Sequence, residues 1–237
     1  MTSPDFSCLG TKTDPPAPTT TTEVTMKVID FQSSDVVAGA VIDVYLSLAN
    51  VNSDKPDFTS QPTGTDGKTL VMVPPGSYRV IFRTIGDPTK KIQTFEFNRP
   101  YNDSGRYSVA QSTKAEIPAL VNVYPDATMG VVAGAQRDCA ETEVGGVTVQ
   151  MSSTGGSYSN ADNNFYFVDT EDAGTLPSPS QHWTSGDGVF AGLNVPPGDV
   201  TMSSYGRLTA QGGLTKLGQA IVPLRANSIT IVQLEPL

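Results

Sequence analysis

One histidine and two cysteines in 237 residues remove most catalytic designs at the outset. The chain has no Gly-x-Ser-x-Gly elbow, no zinc-type Cys/His spacing and no phosphate-binding glycine loop. A hydrolase built on paired carboxylates is the one conceivable enzyme, and it would need a deep cleft that small β domains seldom form. We therefore expect no enzymatic activity and no cofactor. Charge is scarce as well: 16% of residues are charged, with 15 Lys and Arg against 24 Asp and Glu, a net charge of -9. Neutralising a phosphate backbone takes clustered cations, so nucleic acid is excluded as a partner. No run approaches the roughly 18 apolar residues of a membrane helix. The N-terminus also lacks a basic-then-apolar export signal.

What the chain has in quantity is turn and strand material, with 22 Gly, 18 Pro and 38% hydrophobic residues. That composition favours short strands joined by tight turns. The length suggests two domains of about 100 residues and a tail. Residues 1–23 form the tail, where Pro15-Pro16-Ala17-Pro18 runs into Thr19-Thr20-Thr21-Thr22. Such a segment reads as a flexible tether that holds a domain off a surface. We expect an export signal, and with it a lipid anchor, upstream of Met1. The location would then be extracytoplasmic: periplasmic, anchored to the outer membrane or on the cell surface. In an oxidising compartment Cys8 and Cys139 would pair and pin the tail across the domain junction. The other reading is a buried Cys139 and an unpaired, lipid-bearing Cys8.

The sequence repeats itself. Val36 to Val44 contains Gly39-Ala40-Val41, and Thr65-Asp66-Gly67 then leads through Leu70 to Val73-Pro74-Pro75-Gly76-Ser77-Tyr78. Val144 to Met151 contains Gly146-Val147-Thr148, and Ser185-Gly186-Asp187-Gly188 leads through Phe190 to Val195-Pro196-Pro197-Gly198. Asp-Gly and Pro-Pro-Gly close tight turns, because Gly accepts positive φ, Asp bonds its own backbone and Pro fixes φ. Alternation around them marks half-buried antiparallel strands, with Leu70 and Met72 on one face, and Val189, Ala191 and Leu193 on another. Val24 to Phe31 opens the first copy, with Val24, Met26 and Val28 on one face, and Gln93 to Phe97 closes it. Val131 to Cys139 opens the second copy; Leu217 to Leu224 and Ser228 to Leu234 close it. Between them Thr113 and Glu116 form a capping box, and Ile117, Ala119, Leu120 and Val123 follow at helical spacing, with Pro118 early enough to be tolerated. The expected organisation is a first β-sandwich over 24–111, a linker over 112–128 with a helix over 112–124, and a second β-sandwich over 129–237.

Residues 24–85 and 130–206 resemble the carboxypeptidase regulatory-like family, whose fold is transthyretin-like or Cna-B-like. The resemblance rests on Gly39-Ala40-Val41 and Gly146-Val147-Thr148, on Asp66-Gly67 and Asp187-Gly188, and on the two Val-Pro-Pro-Gly turns. It implies an all-β chain of two tandem seven-stranded Ig/transthyretin-like β-sandwiches with a short linking helix, and says nearly nothing of chemistry. The tail around Asp5 to Gly10 also resembles exported proteins and lipoproteins of predatory soil bacteria. Cna-B relatives often carry a Lys-to-Asn/Asp isopeptide bond catalysed by a buried acid in the strand after Pro-Gly-x-Tyr. Lys27 could supply the amine, but Val80-Ile81-Phe82-Arg83 and Met202-Ser203-Ser204-Tyr205 stand where the acid is expected, so we expect no such bond.

Between the same landmarks the second copy is the longer, and the excess falls in an inserted loop at 154–184. It holds the sole His, His182, the sole Trp, Trp183, and Tyr158 and Tyr166 among Asn and Asp. Aromatic faces there could stack on a sugar, with Asn and Asp taking its hydroxyls, or form a protein-binding patch. Equally, Phe165, Phe167 and Trp183 could cap the sandwich as a small satellite core. Asp162, Asp169, Glu171 and Asp172 are a minor option for calcium, although their spacing fits no EF-hand and a solvated acidic loop explains them as well. Lys90, Lys91, Arg99 and Arg106 form the one basic cluster, read as a solvated face. The expectation is a non-catalytic structural or adhesive interaction module of the cell envelope, with a protein partner. The alternative is a carbohydrate-binding module for envelope polysaccharide that uses Trp183, His182, Tyr158 and Tyr166.

Overall fold

The computed structural model describes residues 4–170, 174–209 and 211–236. It divides into two compact units: Asp14–Glu116 with Asn227–Ile231, and the segment through Thr13 with Ile117–Ala226 and the residues from Val232.

The first unit contains β1 (Thr22–Asp30), β2 (Val41–Tyr45), α1 (Leu48–Asn52), β3 (Phe58–Thr59), β4 (Lys68–Val73), β5 (Arg79–Ile85), β6 (Lys91–Ile92), β7 (Thr94–Pro100) and β8 (Gly105–Ala110). One sheet runs β4-β1-β8-β6, and in the other β7, β5, β2 and β3 are successive neighbours. Successive side chains of a strand face opposite ways, and β1 obeys: Val24, Met26 and Val28 are buried while Thr25 and Lys27 are exposed. Val71 and Val73 of β4, Ile42 and Val44 of β2, and Val80 and Phe82 of β5 complete the core. Burying side chains of this kind contributes about 1.5–3 kcal/mol each, so the core rather than the turns holds the unit together.

Helix α2 (Gln111–Leu120) follows β8 without a break. It differs from the expected helix in its start, its end and its cap. Because it begins at Gln111, Thr113 lies inside the first turn, and its hydroxyl donates to Gln32 Oε1 at 2.7 Å instead of capping. Pro118 sits near the C-terminal end, where its missing N–H and ring shorten the helix.

The second unit contains β9 (Gly130–Gln136), β10 (Thr148–Ser153), α3 (Asn160–Asn163), β11 (Asn164–Thr170), β12 (Gly174–Ser178), β13 (Val189–Val195), β14 (Gly198–Arg207) and β15 (Leu214–Leu224), and it shares β16 (Ile229–Leu234). One sheet runs β10-β14-β15; in the other β12, β11, β13, β9 and β16 are successive neighbours. The Ile229 end of β16 belongs to the first unit, where Ile229 N donates to Gln93 O at 3.1 Å. Its Leu234 end belongs to the second, where Leu234 O accepts from Arg137 N at 2.8 Å. Neither unit is thus a bare set of seven strands: the first runs from β1 to β8, with β3 and β6 of two residues each, and the second adds a hairpin and part of β16.

The repeat is a repeat of pairings. β1 pairs antiparallel with β4 as β9 does with β13; β2 pairs with β5 as β10 does with β14; β5 pairs with β7 as β14 does with β15. The Asp-Gly turns match atom for atom. Gly67 (φ 73°) and Gly188 (φ 68°) occupy the left-handed region, and a Cβ there would meet Val28 O at 2.9 Å or Gln136 O at 2.6 Å. Their own carbonyls accept from Val28 N and Gln136 N, at 2.9 and 3.0 Å.

Candidate functional site

The insertion is where the two units part company, and it is built as two devices. Its second half is the hairpin of β11 and β12, which adds β11 to the outer edge of β13 in antiparallel register from Asn164 opposite Gly192 to Tyr166 opposite Phe190. The equivalent edge in the first unit, that of β4, ends its sheet.

The first half of the insertion treats another edge. In the first unit β3 pairs with the outer edge of β2. Among the described residues of the second unit no strand lies on the outer edge of β10, and side chains take its place. Val149 N donates to Tyr166 Oη at 2.8 Å, and Val149 O accepts from Asn164 Nδ2 at 2.8 Å. Met151 N donates to Asn160 Oδ1 at 2.6 Å, and Met151 O accepts from Asn160 Nδ2 at 2.8 Å. Asn164 Nδ2 also donates to Asn160 Oδ1 at 2.9 Å, and Tyr158 Oη donates to Asn164 Oδ1 at 2.6 Å. Three side chains thus satisfy the backbone groups that a further strand would have paired. Gly192 makes room beneath them, since a Cβ there would come within 2.8 Å of Tyr158 Oη and 2.6 Å of Met151 Sδ. Burial pushes the Tyr158 and Tyr166 phenols above their ordinary pKa, which keeps both neutral and able to donate.

The residues nominated from sequence separate accordingly. Tyr166 is buried and Tyr158 mostly so, both held to the fold. His182 and Trp183 are exposed, and Trp183 O accepts from Gln181 Nε2 at 2.8 Å. Phe165 and Phe167 are buried, whereas Trp183 is 52% exposed. Asp162 Oδ2 accepts from Ser159 Oγ at 2.7 Å just ahead of α3. Glu171, Asp172 and the side chain of Asp169 lie outside the described residues. Among the described residues no group of three or more His, Cys, Asp or Glu side chains is placed to hold a metal ion.

The basic cluster is not a solvated face. Arg106 is fully buried, with its guanidinium 3.9 Å from the Phe82 ring centroid and 3.2 Å from the buried Glu96 carboxylate. Burial lowers its pKa, opposed by Glu96 and Asp103. Arg99 pairs with Glu96 and Asp103, and Lys91 with Asp30, which leaves only Lys90 well exposed. A desolvated cation needs a partner, and each of these acids lies in the same unit. The buried Glu96 faces a guanidinium rather than an amine, and Lys27 is exposed on β1. A second buried pair joins Arg83 Nε to Asp43 Oδ2 at 2.8 Å, with Thr59 Oγ1 donating to Asp43 Oδ1 at 2.6 Å.

The N-terminal segment lies on the second unit where a free tether is expected. Cys8 and Cys139 are joined in a disulfide. Around it Asp5 N donates to Asp138 Oδ2, Cys139 N donates to Asp5 O, and Lys12 Nζ sits 2.7 Å from Glu235 Oε2. Phe6 packs against Val144, Val147 and Leu217. The bridge is internal to the second unit rather than a pin across a junction.

No family model and no curated protein matches the chain. Among solved structures it is similar to the shaft pilin SpaA of Lactobacillus rhamnosus GG, at 9% identity and a TM-score of 0.28 over 92% of this chain and 98% of that one. It is similar to a streptococcal ancillary pilin at 15% identity and a TM-score of 0.25, over 95% of this chain and 64% of that one. The major pilin subunit of Bacillus cereus gives 9% identity and a TM-score of 0.27, over 91% of this chain and 99% of that one. Superpositions this loose carry no argument, and the architecture rests on the strand pairings.

Proposed function

We propose that the chain is a non-catalytic structural or adhesive module of the cell envelope that works by offering surface to a protein partner. The observation that carries this reading is where the insertion's polar groups go. Asn160, Asn164, Tyr158 and Tyr166 have the chemistry of a binding site, yet their donors and acceptors are taken up by β10 and by one another. A ligand would have to displace bonds that hold the fold. The bridge between Cys8 and Cys139 supports an oxidising, extracytoplasmic location. Of the four residues nominated for sugar binding only His182 and Trp183 are exposed, which is thin support for a sugar platform.

Protease shaving of intact source cells, followed by immunoblotting of the cell fractions, tests the proposal. The expected result is loss of the chain from shaved cells, with the intracellular pool negligible. A chain that stays protected inside shaved cells would overturn it.

A further inference from the structure

The disulfide fixes how tension would run through the molecule. Cys8 and Cys139 are 131 residues apart in sequence and 5.8 Å apart between Cα atoms. All of Asp14–Glu116, the body of the first unit, lies between them and forms a closed loop hung from the bridge. A pull that enters upstream of Cys8 crosses the S–S bond to Cys139 and passes into the second unit. The ends of the loop stay together, and a segment whose ends cannot separate cannot be drawn out.

The exit lies beside the entry. Arg137 N donates to Leu234 O at 2.8 Å, and Lys12 Nζ lies 2.7 Å from Glu235 Oε2. Tension entering at Cys139 and leaving past Glu235 therefore acts on adjacent ends of β9 and β16, which are neighbours in one sheet. Such a pull opens hydrogen bonds one after another from the end, whereas a pull on opposite ends would load the whole ladder at once.

We infer that the bridge takes Asp14–Glu116, the body of the first unit, out of any line of tension and makes it a pendant loop. Whatever the chain is joined to on either side, force passes through the second unit and through Asn227–Ile231, the part of the first unit downstream of Cys139, while Asp14–Glu116 cannot be drawn out between its tethered ends. Asp14–Glu116 is thereby kept from extension, and its surface kept for a partner, under a load that would stretch a spacer. The use of this device rests on the envelope reading above; the load path does not, because it follows from covalent connectivity.

Single-molecule pulling of the purified full chain, with handles upstream of Cys8 and at the C-terminal end, tests the load path. Complete unfolding of the oxidised chain should release about 450 Å less contour length than the same chain reduced in place with dithiothreitol, at up to about 3.5 Å for each residue of the 131-residue separation. Dithiothreitol supplies the two electrons and protons that turn the bridge into two thiols. The double variant Cys8→Ser/Cys139→Ser should match the reduced chain; if it fails to fold, the reduced wild-type chain still decides the question. Equal contour lengths before and after reduction would overturn the inference. Failure here would leave the shaving result standing, and failure there would leave the load path standing.

Discussion

Thr63 and Thr184 hold the same place in the two units, and neither stood out in the sequence. Thr63 Oγ1 donates to Val37 O at 2.6 Å and accepts from Ala40 N at 2.9 Å; Thr184 Oγ1 donates to Val144 O at 2.8 Å and accepts from Val147 N at 3.1 Å. Gly39 N and Gly146 N donate to the threonine carbonyls. Each threonine thereby ties the start of β2 or β10 to the Asp-Gly turn, four residues ahead of its Gly. Thr184→Val keeps the shape and strips a buried acceptor and donor of their partner, so it should cost about 1–3 kcal/mol. Thr184→Ser should lose much less. Urea midpoints of the two variants check this. At the same scale, Asp30 is held below the ordinary carboxylate range: burial would raise its pKa, but Lys91 Nζ and the backbone N–H groups of Ser33 and Gln32 outweigh it. A folded-state pKa below the unfolded one stabilises above the unfolded value, near about 3.9, and that stability is lost as pH falls through the folded value. Asp30→Asn should lower stability at neutral pH and flatten its decline in acid, read by denaturant titration at several pH values. A parallel decline in both proteins would refute the assignment.

At the scale of elements, the open edge of β10 is the feature that most separates the units. A double variant Asn160→Ala/Asn164→Ala leaves both backbone groups of Met151 without partners and Val149 O with only the 3.4 Å bond from Tyr166 Oη, at about 1–3 kcal/mol for each orphaned group that water cannot reach. It also exposes a strand edge to other chains. Sedimentation velocity should show self-association of the double variant at concentrations where the parent stays in its own state, together with a lower urea midpoint. An unchanged midpoint would mean that the insertion does not hold the edge. The turns, the strands and their order were legible in the sequence because local chemistry dictates them: Gly67 and Gly188 need positive φ, and Val24, Met26 and Val28 need one buried face. The edge device was not legible, because nothing local distinguishes an Asn aimed at a sugar hydroxyl from one aimed at Met151 O. Arg106 was misread for a similar reason, since its partner Glu96 lies on another strand and only pairing reveals that both are buried.

For the whole molecule, each of two versions of one scaffold is held by its own noncovalent core, and the Cys8–Cys139 cross-link ties the tail to the second unit. The destination of the tail could not be read from the sequence, because Phe6 finds Val144, Val147 and Leu217 only once β10 and β15 are in place. If the insertion is fold machinery, Trp183 fluorescence should stay flat across a broad panel of soluble glycans and envelope polysaccharides; a saturable shift would restore the sugar reading. The central claim is that Cys8–Cys139 is the sole covalent cross-link, over a scaffold that carries no isopeptide bond. Intact mass after alkylation, with and without reductant, tests it most directly. Without reductant the expected mass is that of the chain less two hydrogens with no alkyl adduct, and with reductant that of the full chain with two adducts. Alkylation without reductant, or a mass short by one water or one ammonia, would contradict the claim.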